Sequence, residues 1–271
     1  MPDALLTSSE VARLLGVTPG SVKRWADAGL LHCLRTAGRH RRFRADEVER
    51  FRGARSDRIA PSAAAWVARL LEEGEVQALQ AQLLAERARL GSWWRVAESL
   101  GPVLAELGRC WEAGTLTVLE EHLASERLAR ALARCAESLP VRPGAPRLLL
   151  ATAEEEKHTL GLSLVELAVR EWGWPTLWAG RDTPLPEVVA HVVGGGVEAV
   201  AVSASALCDP ERLRTQAEGL AAICRAGEVA LAFGGSGAWP DELPHGRRMT
   251  GFEELRAWLA DVERGLTKGG Q

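Results

Sequence analysis

The chain has 271 residues, 46% hydrophobic and 25% charged, the balance of an ordinary globular protein with room for two or three cores. It holds no apolar run of about eighteen residues that would cross a bilayer and no basic-then-apolar leader. Its five cysteines are widely spaced, so neither a disulfide framework nor a zinc cluster is indicated, and a cytoplasmic location without membrane association is expected. The net charge of −3 conceals an asymmetry: residues 1–60 hold twelve Lys and Arg against seven Asp and Glu, residues 61–271 hold 21 against 29. A basic head on an acidic body points to a polyanionic partner for the head alone.

Thr7 with Glu10 three positions on has the form of a capping box, and Val11, Leu14 and Leu15 follow at helical spacing, so a first helix starts near Ser8 and stops at Gly16. Thr18-Pro19 then supplies an N-cap and a first-turn proline ahead of Val22, Trp25 and Ala26. This second helix ends at Gly29-Leu30-Leu31. Residues 33–44, with Gly38 among polar and basic neighbours, predict a two-stranded wing, and a short helix follows over 46–51. Arg39, His40, Arg41, Arg42 and Arg44 place cations on a rigid turn beside Lys23 and Arg24 of the second helix, as contacts to phosphate require. A winged helix-turn-helix is the expected head. Lys23, Arg24, Arg39, His40, Arg41 and Arg42 are its candidate contacts to double-stranded DNA, and Trp25 is expected to anchor the recognition helix in the core.

Small polar residues from Gly53 to Ser62 predict a linker. Beyond it, apolar positions recur every three or four residues over 63–73, 76–90, 93–113 and 116–138, punctuated by Gly74, Gly91 and Gly114, which predicts a four-helix bundle. Pro140 to Pro146 is a second linker. Apolar strands over 147–152, 176–179, 199–203 and 229–234 then alternate with helices over 160–172, 186–193, 210–226 and 252–264, the pattern of a doubly wound, Rossmann-like parallel sheet. The expected domains are the head over 1–58, the bundle over 62–140 and the α/β domain over 146–267. Ligands of such sheets sit at the carboxyl ends of the strands.

The loop after the first of these strands reads Glu156-Lys157-His158-Thr159-Leu160-Gly161. Ser203 follows Gly161 after 41 residues, Ser205 comes two later, and Gly234-Gly235 closes the fourth strand. In the bundle, Trp111 is followed after nine residues by Glu121-His122, with Gly114 between them, so two adjoining helices bring them toward a common pocket. No nucleophile paired with a base, no P-loop and no zinc motif stands out, so no enzymatic activity is expected.

Residues Arg35 to Phe43 resemble the wing of MerR-type regulators, with Ala37-Gly38-Arg39 where that family usually has Pro-Gly-Gly. The loop and strand motifs resemble the B12-binding signature Asp-x-His-x-x-Gly, Ser-x-Leu, Gly-Gly, with Glu156 standing for the aspartate and Ser205 for the leucine. Trp111-x9-Glu121-His122, together with Glu120 to Ser125 and Gly180-x-Asp182-Thr183-Pro184-Leu185-Pro186, resembles CarH-type, adenosylcobalamin-dependent photoreceptor regulators. That likeness runs over nearly the whole chain, with the domains in the same order.

The resemblance implies cobalamin, adenosylcobalamin above all, with His158 as the lower axial ligand of cobalt. Neutral imidazole suits such a metal, and a carboxylate two residues earlier can orient the ring. It also implies that Ser203 and Ser205 bind the nucleotide tail, that Gly161, Gly234 and Gly235 leave it room, and that Trp111 covers the adenosyl group with Glu121 and His122 nearby. A homo-oligomer, a tetramer in that family, would bind operator DNA in the dark and release it when light breaks the cobalt–carbon bond. In those regulators a histidine that can ligate cobalt after light follows the tryptophan; here Glu112 occupies that position, a harder and anionic donor. His122 as a substitute ligand, a cobalamin or redox sensor without photochemistry, and a corrinoid methyl carrier stand as alternatives.

Overall fold

The computed structural model describes residues 5–15, 18–27, 29, 31–36, 38, 40–51, 61–72 and 74–269. These fall into two compact units, Met1–Ser62 and Ala63–Gln271. Gly16, Leu30, Ala37, Arg39, residues 52–60 and Glu73 lie outside the described residues. With them lie the expected helix stop, the wing tip and most of the first linker.

In the first unit β1 (Leu5–Thr7) leads into α1 (Ser8–Leu14), followed by α2 (Pro19–Asp27), β2 (Leu34–Arg35), β3 (Arg41–Arg44) and a helix α3 over 45–51. The capping box forms as its residues dictate: the Thr7 hydroxyl accepts the Glu10 N–H at 3.2 Å while the Glu10 carboxylate accepts the Thr7 N–H at 2.7 Å. The wing is an antiparallel pair, but β1 adds a third strand against β3, with Leu6 opposite Phe43. A three-residue strand is too short for periodicity to announce it. Val11, Val22, Leu31, Phe43 and Val48 make the core. Phe43, embedded among the wing cations, is fully buried, and Trp25 packs on Phe51 with ring centroids 5.3 Å apart. Both aromatics hold the head together.

The second unit begins with α4 (Ala63–Leu71), α5 (Val76–Leu90), α6 (Trp93–Glu112) and α7 (Val118–Glu137). The α/β part follows as β4 (Leu148–Thr152), α8 (Leu160–Glu171), β5 (Thr176–Gly180), α9 (Leu185–Gly194), β6 (Ala199–Ala204), α10 (Pro210–Ala226), β7 (Ala230–Gly235), β8 (Arg247–Arg248) and α11 (Phe252–Gly269). The sheet is parallel with the order β5-β4-β6-β7-β8. Only the two-residue β8 goes beyond the strands expected. Residues of β4 alternate strictly between two buried faces: Leu149 and Ala151 pack with Val188 and Val192 of α9 and Leu213 and Leu220 of α10, while Leu148 and Leu150 pack with Leu162 and Val169 of α8 and Leu255 and Leu259 of α11. No described helix is long and apolar enough to cross a membrane.

The helices expected to form a separate bundle share their core with the α/β part. Leu164 and Leu167 of α8 join Leu100, Val103, Ala124 and Leu128 in one buried cluster. Polar contacts fasten the same seam. The Glu171 carboxylate of α8 accepts the Trp93 and Trp94 N–H groups at 2.8 and 3.2 Å, capping α6, and pairs with Arg87 at 2.9 Å. At the other side Arg170 donates to the carbonyls of Ala136 and Leu139 at the end of α7.

Candidate functional site

The strand order reverses direction between β4 and β6, and the loops after these two strands meet around one carboxylate. Glu156 is only 2% exposed. One of its oxygens, Oε1, accepts the His158 N–H at 2.7 Å and faces His158 Nδ1 at 2.6 Å; the other, Oε2, accepts the Ser205 N–H at 2.6 Å and the Cys208 thiol at 3.2 Å. Burial opposes ionisation of this group, but the Ser205 hydroxyl, the His158 and Ser205 N–H groups and the Cys208 thiol outweigh it and hold the carboxyl at about 2. An ionised carboxylate facing Nδ1 calls for a proton on that nitrogen. The unprotonated lone pair of neutral His158 is then at Nε2, on a side chain that is 63% exposed. This is the arrangement in which an imidazole serves as a metal ligand.

Backbone contacts hold the loop in shape. The Thr152 hydroxyl donates to the Glu156 carbonyl at 2.9 Å and accepts the Asp182 N–H at 2.9 Å, and the Asp182 carboxylate accepts the Glu155 N–H at 2.8 Å. Glu155 and Asp182 both have left-handed backbones, at φ 63° and 52°, an uncommon conformation for side chains of this kind. The β5 loop thereby braces the β4 loop that carries His158.

Gly161, Ser203 and the two closing glycines lie around the same crevice with different duties. A side chain on Gly161 would come within 3.5 Å of the Ser203 hydroxyl, whereas one on Gly234 would meet nothing within 4 Å. Gly235 is required by the chain itself: its φ is +86°, and a Cβ there would sit 2.2 Å from the Ala204 carbonyl oxygen. The Gly234 carbonyl accepts the indole N–H of buried Trp239 at 2.8 Å. The spacing from Gly161 leads to Ser203, yet it is Ser205 that reaches Glu156. Ser205-Ala206-Leu207 is itself a Ser-x-Leu run, with Leu207 71% exposed. Cys208 was not singled out from sequence; no spacing rule marks it, and only the turn after β6 brings it to Glu156.

Helix lengths place the expected cap. Trp93 at the start of α6 meets Glu171 at the end of α8, so the two helices run antiparallel, and the 20 residues of α6 against 12 in α8 leave an overhang of about 12 Å beyond Leu160. α7 has its end beside Arg170 and overhangs in the same direction. Trp111, Glu121 and His122 therefore lie at the end of the unit where His158 precedes α8. Trp111 is 43% exposed, and Val118, Leu119 and Leu123 in the first turns of α7 are exposed as well. Glu121 repeats the theme of Glu156: its carboxylate faces His122 Nδ1 at 2.7 Å and accepts the Ser125 hydroxyl at 2.6 Å. Glu112 is exposed at the last turn of α6.

In the head, Thr7, Ser8, Lys23, His40, Arg41 and Arg42 line a cleft of about 430 Å³. Arg41 is tied to Asp27, and Arg42 donates to the Arg41 carbonyl at 3.1 Å. Lys23, Arg24 and His40 are exposed. Arg39 lies outside the described residues.

The first unit is a helix-turn-helix with a short three-stranded sheet, and in the second a helical region is packed on a doubly wound sheet. A helix-turn-helix domain model matches residues 5–56, and a B12 binding domain model matches residues 63–136, which span α4 to α7. Over 94 residues the chain is 34% identical to the HTH-type transcriptional repressor CarH of Myxococcus xanthus, a match covering 34% of this chain and 30% of that protein. The chain thus matches less than a third of the length of this relative. Among solved structures, the monomethylamine corrinoid protein of Methanosarcina barkeri shares the fold, with a TM-score of 0.50 and 19% identity over 66% of this chain and 87% of the other. A cobalamin-binding protein from Desulfitobacterium hafniense aligns with a TM-score of 0.35 and 16% identity over 73% and 99% of the two chains.

Proposed function

We propose that this chain is a cobalamin-dependent transcriptional regulator whose second unit holds adenosylcobalamin through His158 and whose head binds operator DNA. The observation that carries this is the Glu156–His158 pair at the strand-order switch: a buried, ionised carboxylate fixes Nδ1 and presents Nε2 outward where ligands of such sheets bind. The donor set fits the cofactor. A neutral imidazole suits cobalt, open space beside Gly234 accommodates a tail, and the exposed Trp111 end supplies an apolar cover.

When bound, adenosylcobalamin supplies a cobalt–carbon bond that light breaks. The chain's residues would do the rest: His158 would ligate the cobalt with Glu156 orienting its ring, Ser203 and Ser205 would hold the tail, and Trp111, Glu121 and His122 would cover the adenosyl group. The switch is a homo-oligomer, a tetramer by resemblance, that represses in the dark and releases DNA in light. A near-complete switch needs about 5.5 kcal/mol of preference for one assembly. Gel-shift and size-exclusion runs on the loaded chain, in the dark and after green light, test this. Unchanged operator affinity and elution volume would defeat the light switch.

Glu112 favours a second reading, a regulator that senses cobalamin or its redox state without photochemistry. It expects DNA affinity to differ with and without cofactor and to be equal in dark and light. A corrinoid methyl carrier has no use for the basic head, and operator binding by the purified chain would argue against it.

For the head, Lys23→Ala is expected to lower the salt slope of operator binding by about one. Arg41→Ala is expected to destabilise the unit slightly as well, because it removes the nearer of Asp27's two cationic partners and leaves Arg35 at 4.0 Å. Salt titrations of DNA affinity beside thermal unfolding separate the two; equal effects in both assays would contradict the assignment.

Glu156 adds a pH dependence. Its folded value of about 2 lies below the ordinary 4.5, so its contribution to stability is full above 4.5 and is lost as pH falls toward 2. The stability gap between wild type and Glu156→Gln, both without cofactor, is expected to narrow over that acid range. Denaturant midpoints at several pH values would show it, and a constant gap would refute it.

A further inference from the structure

We infer that Cys208 is a positioning residue for His158, acting through Glu156. The inference rests on His158 as the cobalt ligand, and it adds a residue outside the motifs that point to that role. The His158 N–H and ring meet Oε1 of the Glu156 carboxylate, and the Ser205 N–H meets Oε2, with the Ser205 hydroxyl as a further donor to the group. Cys208 adds a side-chain donor from outside these motif residues, at 3.2 Å to Oε2. It reaches that place because the chain turns after β6, with the Cys208 N–H donating to the Ser205 carbonyl at 3.2 Å.

A buried thiol is ordinarily a small apolar filler. Cys135 and Cys224 fit that description, lying in the apolar clusters of the second unit. Cys208 differs in being half-buried and aimed at a carboxylate. Burial, reinforced by Glu156, pushes its thiol up to about 11, so the sulfur keeps its proton and serves as a donor rather than as a nucleophile or metal-binding thiolate. A donor on Oε2 fixes the rotation of the carboxylate about its last bond. That rotation sets where Oε1 meets Nδ1, and hence where Nε2 points. No bond is made or broken and no electron moves; the thiol acts by holding a hydrogen-bond acceptor in place.

An electronic role would have the opposite sign. Removing a donor from Oε2 leaves more negative charge on Oε1, makes the imidazole a stronger base and tightens the metal bond. Positioning predicts weaker binding instead, so the direction of the change separates the two.

The test is a double-mutant cycle on the full chain titrated with aquocobalamin, following the absorption change of imidazole ligation together with the thermal midpoint. Cys208→Ala is expected to weaken binding severalfold, less than the about 10–100-fold expected for Glu156→Gln, the direct partner of the ligand. Cys208→Ser keeps a donor and is expected to restore wild-type binding. In a Glu156→Ala background, Cys208→Ala is expected to add nothing, because the side chain through which it acts is gone. Wild-type or tighter binding by Cys208→Ala, additive effects of the two changes, or a Cys208→Ser as weak as the alanine variant would each overturn the inference. A wild-type chain that takes up no aquocobalamin would instead defeat the cobalamin assignment itself, a result distinct from any of these.

Discussion

Full-length His158→Ala is expected to lose the absorption signature of imidazole-ligated cobalamin and to bind the cofactor more weakly by a factor exceeding the about 10–100-fold that removal of an outer partner costs. The expectation follows from the exposure of the ring and the isolation of its role. His158 is mostly exposed, so its truncation opens no cavity, and the fold should survive with an unchanged thermal midpoint. The loop keeps its shape through Thr152, Asp182 and the His158 N–H, none of which depends on the imidazole. The loss is therefore confined to the ligand. Imidazole added to the alanine variant should recover part of the ligated spectrum, since the crevice has lost only a ring. A variant with the wild-type spectrum would exclude His158 as the lower ligand.

The same residue illustrates what the sequence makes legible. Glu156 and His158 are two apart on a loop after a strand, so their contact is local, and a strand-to-loop pattern suffices to place them. Long elements with marked ends are equally readable. The 15-residue α5 and the 17-residue α10 occupy the spans that their periodicity predicts, and α10 carries Asp209 as its N-cap followed by Pro210. Short strands are not readable this way. β1 and β8, of three and two residues, exist because a neighbouring strand offers hydrogen bonds, and no window of sequence holds that information.

Two further features depended on the fold. α8 is apolar on two faces, Leu164 and Leu167 toward the bundle and Leu162 and Val169 toward the sheet; periodicity identifies the helix but does not say what covers each face. The region expected to be a separate bundle is for this reason continuous with the α/β core. Likewise Ser205 and Cys208 reach Glu156 from 49 and 52 residues away, through the pairing of β4 with β6. Counting from Gly161 leads to Ser203, two residues short of the contact, because the count carries no information about which serine faces the carboxylate.

The paired glycines at the end of β7 are expected to respond oppositely to the same substitution. Gly235→Ala places a Cβ 2.2 Å from the Ala204 carbonyl oxygen and 3.0 Å from the Ser203 hydroxyl, at a φ of +86°. The first neighbour is backbone of the paired strand β6 and cannot rotate away, so the strands must part or the residue must leave the left-handed region. A left-handed backbone alone costs a residue with a Cβ about 1–2 kcal/mol, and the collision adds to it. A total loss of about 2–4 kcal/mol is expected, in the range that marks a named structural fault.

Gly234→Ala meets nothing within 4 Å and needs no unusual backbone, so the fold should change by less than about 1 kcal/mol, with a small gain possible from the stiffer unfolded chain. Its methyl group instead enters the space beside Ser203 that the cofactor's tail is proposed to occupy. Thermal unfolding of the unloaded chain and cobalamin titration should therefore sort the pair, with Gly235→Ala lowering the midpoint and Gly234→Ala lowering affinity at an unchanged midpoint. If Gly234→Ala bound cobalamin as tightly as wild type, the tail would have to run elsewhere along the carboxyl edge of the sheet. If Gly235→Ala were as stable as wild type, β6 and β7 would have to be able to separate at their ends without loss, contrary to the close approach at Ala204.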